Sequence, residues 1–477
     1  MNEERVMKKT LLAGAVAVLA GAGAAAPYFA GVQAERAFRD NVEALSEHPQ
    51  ADLEVVRYER GWFGAEAESR LTLGAPGEAL EVDLEHAVSH GPTPATPALA
   101  RVVTTPAPRG EAREHVRHYF GDRAPLTADL TIGLTGKQHL VLSSPSFEGS
   151  AKGAPETQIQ WSGLDGTGEF AGDSGTLDLE IPKVRIADEK GRFLLEGTEL
   201  QSEFRRHAEG LWLGTSDFSS KRLAMEVPDP ESGALQEFDL GGLSLRQVAK
   251  QADEEGYLDM ASRLAADRAA LGGEEVRDAR LGMELRHLDE EAYRRTGERV
   301  RKIQTANLDE EEAAQRVLAI LREELPGLLE GSPEAALTEL AFEAANGDFR
   351  GSAEARYRGD GSGARGILEN PALLLRHLDA EAEIRAAKPL VIALLEERTR
   401  NQLEEETGAE GDPVQRERQV ERTVRQQLAM MEAMGFVTVE EDHYASHVAW
   451  DRGALSVNGR PLNLGAAMGG GNGSALP

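Results

Sequence analysis

Leu126-Thr127-Ala128-Asp129-Leu130-Thr131-Ile132-Gly133-Leu134 decides the fold class, because apolar side chains occupy every second position. Successive side chains of a strand point to opposite faces, so a period of two marks a strand with one buried face. The same pattern recurs on both sides of this stretch. Leu177, Leu179 and Ile181 alternate, and Val184 and Ile186 resume with a phase slip at Pro182. Proline lacks the N–H that a ladder needs, so the slip predicts a bulge or an edge. Leu223, Met225 and Val227, then Leu243 and Leu245, repeat the alternation. Upstream, Leu53, Val55, Tyr58 and Phe63 lie around a turn-like break at Arg60-Gly61-Trp62. Strands at such short spacing, joined by Gly-containing turns, predict an antiparallel sheet.

Other segments read differently. Gly91 to Gly110 is rich in Pro and Thr with little periodicity, and is expected to be an extended loop before a short helix at Glu111 to Phe120. Tyr257 to Leu271 is ambiguous: its Ala, Arg and Asp content favours helix, while strands on either side favour sheet. From Asp289 the period becomes helical, with Val317, Leu318, Leu321, Leu325 and Leu328 at helical spacing within Leu308 to Leu329. Leu337 to Tyr357 reads as a hairpin turning at Asn346-Gly347, a pair suited to a type I′ turn. Leu390 to Leu403 and Val414 to Met434 are amphipathic, the second opened by Gly411-Asp412-Pro413 as N-cap and first-turn proline. Phe436 to Leu464 closes as a second hairpin at Asn458-Gly459, and the Gly-rich tail from Gly465 is expected to be disordered.

The bulk numbers fit this outline. The chain has 477 residues, enough for two or three domains or one elongated one. Hydrophobic residues make up 40%, which suffices for a core, while aromatics are 5% and glycines number 50, a composition of turns and short strands. The formal net charge of -30 argues against nucleic acid and against docking of the body on anionic head groups. There is no cysteine, which excludes disulfides and thiolate chemistry. Acidic runs such as Asp309-Glu310-Glu311-Glu312 and Glu404-Glu405-Glu406 read as solvated helix surface.

At the N-terminus, Arg5, Lys8 and Lys9 precede an uncharged run from Thr10 to Gln33, whose apolar part, Leu11 to Val32, is long enough to span a bilayer. Basic residues ahead of the run place that end in the cytoplasm and the body on the far side. A cleaved signal peptide is the rival reading, with Ala22 to Ala26 supplying small residues. The run is long for a signal segment, and Pro27 directly after Ala26 disfavours cleavage there. Met7-Lys8-Lys9 opens a conventional n-region.

Several motifs suggest chemistry, and each has a plainer reading. Gly172-Asp173-Ser174-Gly175 has the letters of a serine-nucleophile loop, but no partner histidine context accompanies it, and a turn between strands explains it. Gly361, Gly363 and Gly366 match a dinucleotide fingerprint in spacing, yet the flanks read antiparallel and Asp360 adds negative charge, so a flexible loop fits better. Histidines pair at His86 with His90, His115 with His118, and His443 with His447. Four-residue spacing puts two on one face, but zinc needs about four ligands and no His-Glu-x-x-His accompanies them. Among 82 acidic residues no glycosidase pair can be selected, and four Trp offer few sugar platforms. Met430, Met431 and Met434, with Leu428, read as core packing beneath the terminal hairpin.

The order of elements carries a family resemblance. Tyr58-Glu59-Arg60-Gly61-Trp62-Phe63 sits between two strands, His90-Gly91-Pro92 follows another, and Gly453-Ala454-Leu455-Ser456-Val457-Asn458-Gly459-Arg460-Pro461-Leu462 forms a terminal hairpin. With the Met7-Lys8-Lys9 anchor, this resembles the YdgA-like family of bacterial envelope proteins, a domain of unknown function, over Met7 to Leu464. The resemblance implies an inner-membrane-anchored, periplasm-facing Gram-negative protein. It implies no activity, cofactor or catalytic residue, and it favours strand for Tyr257 to Leu271 and retention of the anchor.

The expected protein is therefore α+β. A long, mostly antiparallel sheet carries the C-terminal-half helices on one face and is preceded by one transmembrane helix. Expected divisions are a stub and anchor over 1–33, a strand-rich region over 34–288, a mixed helix and hairpin region over 289–464 and a tail over 465–477. The functional expectation is a non-enzymatic binding or assembly factor with no metal and no cofactor, whose sheet groove takes a lipid, an amphiphile or a protein partner. Two alternatives stand beside it: a periplasmic hydrolase with its polar centre at His90 and His443, and a structural homo-oligomer of the inner membrane.

Overall fold

A computed structural model describes residues 51–60, 64–73, 80–90, 98–208, 211–228, 235–271, 273–305, 310–359, 372–407 and 413–462. The anchor over 1–33 and the Gly-rich tail lie outside these residues. Among the described residues, no helix is long and apolar enough to cross a membrane. The described chain divides into two compact units: one runs through Ala249 and adds Arg294–Leu321, and the other comprises Lys250–Tyr293 and the chain from Arg322 onward.

The first unit is an antiparallel sheet. β1 (Ala51–Arg60), β2 (Gly64–Leu73), β3 (Leu80–His90), β4 (Ala100–Pro106), β5 (Thr127–Ile132) and β6 (Gln138–Ser144) pair in sequence. A helix, α1 (Gly110–Phe120), links β4 to β5. The hairpin β7 (Phe147–Ala151) and β8 (Ala154–Trp161) is followed by β9 (Leu164–Ala171), which pairs back with β6. Then come the long strands β10 (Ser174–Asp188), β11 (Gly191–Ala208), β12 (Leu211–Pro228) and β13 (Leu235–Gln251), each paired with the next.

The quoted strand performs as its pattern demands as far as Ile132, while Leu134 lies in the turn that follows and is exposed. In β5 Ala128, Leu130 and Ile132 are buried, and the residues between them are half-exposed. The pattern continues on the same face into Leu84 and Val88 of β3, Val102 of β4, and Leu140 and Leu142 of β6. Trp161, Val184, Phe120 of α1, and the partly buried Leu179, Ile181 and Leu195 close the core. A strand also runs through the stretch read as a loop. β4 buries Ala100, Val102 and Thr104 alternately, and it pairs with β3 and β5. The Pro and Thr content masked that short alternation.

The slip at Pro182 is real, but it lies inside the sheet. β10 pairs along its whole length with β11, while its other edge changes partner from β9 over Ser174–Glu180 to β8 over Val184–Ala187. Pro182 falls in the gap between those partners, where no ladder bond needs its missing N–H. The neighbouring strands cross the same level at Gly197, with φ +59°, and at Gly242, with φ +63°. Both are glycines because an L side chain resists positive φ, and a Cβ at Gly197 would strike the Lys221 side chain. Across this row the parity of core-facing residues changes, so that Leu179 and Val184 meet the same core.

The second unit is also an antiparallel sheet. β14 (Tyr257–Leu271) and β15 (Glu274–Asp289) form its first hairpin, so Tyr257 to Leu271 is strand. Two helices follow, α2 (Glu290–Thr305) and α3 (Glu310–Glu330), and the division between units falls within both. Asp289 caps α2, its Oδ1 accepting from Ala292 N at 2.7 Å. The sheet resumes with β16 (Glu334–Ala344), β17 (Gly347–Tyr357) and, after the single turn α4 (Ala372–Leu375), β18 (Leu378–Ala387). The antiparallel helices α5 (Lys388–Thr407) and α6 (Pro413–Met434) intervene before β19 (Thr438–Glu440), β20 (His443–Asp451), β21 (Ala454–Val457) and β22 (Arg460–Leu462). β20 pairs with β18 on one edge, and with β19 and then β21 on the other.

Two turn readings shift. Ala344 pairs with Gly347, so the β16–β17 loop is Ala345-Asn346 and Gly347 opens the next strand at φ +124°. Glycine is needed there because a Cβ would lie 2.3 Å from Ala387 Cβ. The terminal segment is a meander of short strands, not one hairpin. Its Asn458-Gly459 turn does form, with φ of +49° and +74°. The Asn458 side chain reinforces it, donating to Gly435 O and accepting from His447 N.

Candidate binding face

The ladder registers of the second unit sort its side chains into two unlike faces. One row runs Ser262, Met283, Leu337, Ala353, Ala382, Val448, Val457 from β14 across to β21. The row on one side is Met260, Leu285, Ala335, Ala355, Ala380, Trp450, Leu455, and the row on the other is Leu264, Leu281, Leu340, Gly351, Ile384, Ser446. Nearly every position is apolar. From β14 to β20 the rows span roughly 24 Å at ~4.8 Å per strand.

This face is open along much of its width. Met283 is 47% exposed, Ile384 46%, Leu285 44% and Leu264 39%. Antiparallel sheets ordinarily pack their apolar face and leave the polar one in water, and a contiguous exposed apolar patch marks an interaction surface. The ends of the face are covered. At one end Tyr357 is buried with Leu325, Leu329 and Leu374, and the Trp450 indole donates to Leu375 O at 2.7 Å. At the other, Phe342 stacks on Phe349 with centroids 5.2 Å apart. There Tyr444 joins Val420, Val424 and Leu428 of α6, and Val391 and Leu395 of α5. Met431 packs into this helix cluster, while Met430 and Met434 are exposed, so the methionine group is only partly core.

The opposite face is charged and self-neutralising. Glu334 is buried between two guanidiniums: Arg286 Nη1 donates to its Oε1 at 2.5 Å and Arg356 Nε to its Oε2 at 2.7 Å. Burial alone would raise this carboxyl, but the two arginines outweigh it and hold it below the usual carboxylate range. Arg268 with Glu275 and Arg358 with Asp379 make further pairs.

The histidines go to separate places. His443 lies on the charged side, its Nε2 2.8 Å from Asp348 Oδ1, while Arg385 Nη2 donates to its Nδ1 over 3.3 Å. That arrangement puts the ring proton on Nε2 and engages both nitrogens. The His443 hydrogen bond also holds Asp348 below the ordinary carboxylate range against the effect of burial. His447 uses its backbone to anchor Asn458. His90 ends β3, and its side chain lies outside the described residues. His118 Nε2 reaches Ser150 O at 3.0 Å. His86 is buried in the first unit's core, its Nε2 2.8 Å from Ser69 Oγ and its Nδ1 2.9 Å from Thr104 Oγ1. Among the described residues, no group of three or more His, Asp or Glu could hold a metal ion.

The remaining motifs also find places. Gly172-Asp173 is the loop between β9 and β10, with Gly172 at φ +59°, and Ser174 Oγ donates to Ala171 O at 3.1 Å. That is a turn between strands. Gly361, Gly363 and Gly366 lie outside the described residues. Glu312 pairs with Arg316 one helical turn on, as a solvated helix face does. Sequence reading did not single out Leu264, Met283, Leu285 or Ile384. Composition favoured helix around Leu264, and alternation by itself does not say whether another layer covers a face.

No curated protein and no solved structure shows a significant match to the chain. The profile of a bacterial family does match, over residues 7–465, which is most of the 477-residue sequence. The chain therefore belongs to the family described as bacterial protein of unknown function, DUF945.

Proposed function

We propose that the chain is a membrane-tethered envelope protein that binds an amphiphile on the open apolar face of its second unit. The observation that carries this reading is the set of adjoining apolar rows in which Leu264, Met283, Leu285 and Ile384 remain exposed. Apolar ligands bind surfaces of this kind through area removed from water, at about 25 cal/mol per Å². Arg5, Lys8 and Lys9 ahead of the apolar run Leu11 to Val32 support a tether in the inner membrane with the body in the periplasm. The resemblance to YdgA-like envelope proteins supports the same location. Binding is favoured over hydrolysis because both ring nitrogens of His443 are engaged by Asp348 and Arg385.

Native mass spectrometry of the detergent-extracted full chain tests the reading. The expected spectrum shows the folded protein carrying lipid, with the adduct lost in a Met283→Asp, Ile384→Asp double variant that keeps its circular dichroism. A folded wild-type protein free of lipid overturns it. So does a mass doubled in the wild type and halved by the same double variant, since the face would then be an interface between copies.

A further inference from the structure

The first unit carries a polar device in the middle of its apolar core. Ser69, His86 and Thr104 stand on adjacent strands β2, β3 and β4, and are 0%, 5% and 9% exposed. His86 bridges the two hydroxyls through both ring nitrogens, at 2.8 and 2.9 Å. Around them the sheet face is Ala67, Leu71, Leu84, Val88, Val102 and Leu130.

The chemistry of this bridge depends on the charge of the ring. A neutral imidazole has one donor and one acceptor nitrogen, so one hydroxyl donates to it while the other accepts from it. An imidazolium has two donors, and both hydroxyls must then accept. Among the described residues, Ser69 and Thr104 hydroxyls have no partner but His86. Protonation would therefore bury a charge and turn the second hydroxyl proton, as well as the first, into hydrocarbon, each costly without an acceptor.

The charged groups of the surrounding elements lie away from this core. Arg57 pairs with Glu68, Arg70 and Arg109 with Asp83, and Arg101 with Asp129, on the sheet's other face. Asp165 and Glu169 of β9, and Asp178 and Glu180 of β10, are exposed. On α1, Glu114 pairs with Lys152, His118 reaches Ser150, and His115 is half-buried. The titratable side chains packed on the core itself are the phenols of Tyr58 and Tyr119.

We propose that the Ser69–His86–Thr104 bridge is an acid-sensitive fastener: it holds β2, β3 and β4 together while His86 is neutral, and acidification releases them. Burial, as the geometry leads one to expect, lowers the His86 pKa from 6.5 to about 4. The unfolded chain then binds the extra proton first. Stability is intact above pH 6.5, falls progressively toward pH 4 and levels off below.

The test is urea unfolding of the full chain from pH 7.5 to pH 5, read by tryptophan fluorescence. Linkage gives a fall of about 30-fold in the folded-to-unfolded ratio of the native chain across that range. His86→Gln keeps a donor and an acceptor but does not titrate, so its fall should be smaller by that factor. Equal pH dependence in the two proteins overturns the proposal. Should His86→Gln not fold, NMR titration of the native chain decides the matter. A His86 ring that protonates near pH 6.5 in the folded state overturns the proposal, and one that stays neutral until the fold opens supports it.

Discussion

The two units use one architecture in opposite ways. Both are antiparallel sheets, and each has a strand with one edge shared by two partners: β10 by β9 and β8, and β20 by β19 and β21. In the first unit the core-facing side chains of β2 to β6 turn onto one another, and Leu71, Ile132 and Leu142 are fully buried, although Trp212 and Met225 of β12 are exposed. In the second, side chains of the same kind and spacing remain in view, as Met283 and Ile384 show. Alternation in a strand thus specifies a face but not its cover. Where the cover comes from the chain itself, the face becomes core. Where it does not, the face is free to recognise something else.

The largest test of this contrast is Leu71→Ala. A fully buried leucine loses its transfer free energy and leaves a cavity, so the variant should lose about 3 kcal/mol in urea unfolding. A loss under about 1 kcal/mol would mean the first unit's core is no better packed than the open face. Next comes Gly347→Ala, which forces a Cβ against Ala387 at φ +124° and should cost about 2 kcal/mol with local fraying of β17 and β18 in hydrogen exchange. Asn458→Ala removes a residue suited to positive φ and its bonds to Gly435 and His447. A loss of about 1 kcal/mol is expected in thermal unfolding. The smallest effect should be Ile384→Ser, which should cost less than about 1 kcal/mol because nearly half of the side chain is already in water. A loss matching that of Leu71→Ala would show that the face is covered in solution.

Much of the fold was legible. The period of two at Leu126–Leu134 and the slip after Ile181 both mark real features, because side-chain direction in a strand is a local property. The bounds of α1 and α6 were legible to within one residue, whereas α5 begins two residues before Leu390 and ends four after Leu403. Asn458-Gly459 was readable because positive φ selects those residues wherever the pair occurs as turn centre. Asn346-Gly347 misled by one position: the glycine is required by Ala387, which is distant in sequence and invisible to a turn rule. The strand at Ala100–Pro106 was hidden because its evidence is its partners β3 and β5, more than its own letters.

The candidate sites divide along the same line. That His443 meets Asp348 and Arg385, and that His86 meets Ser69 and Thr104, depends on which strands become neighbours. Spacing along the chain paired each histidine with another histidine instead.

By itself the sequence determined the alternating strands, the main helices, the acidic cysteine-free surface and the family, since each is written in residue types at short range. Only the tertiary structure decided which apolar faces are closed and which stay open, and which polar groups share a buried pocket. Those properties belong to contacts between distant residues, and no local period encodes them.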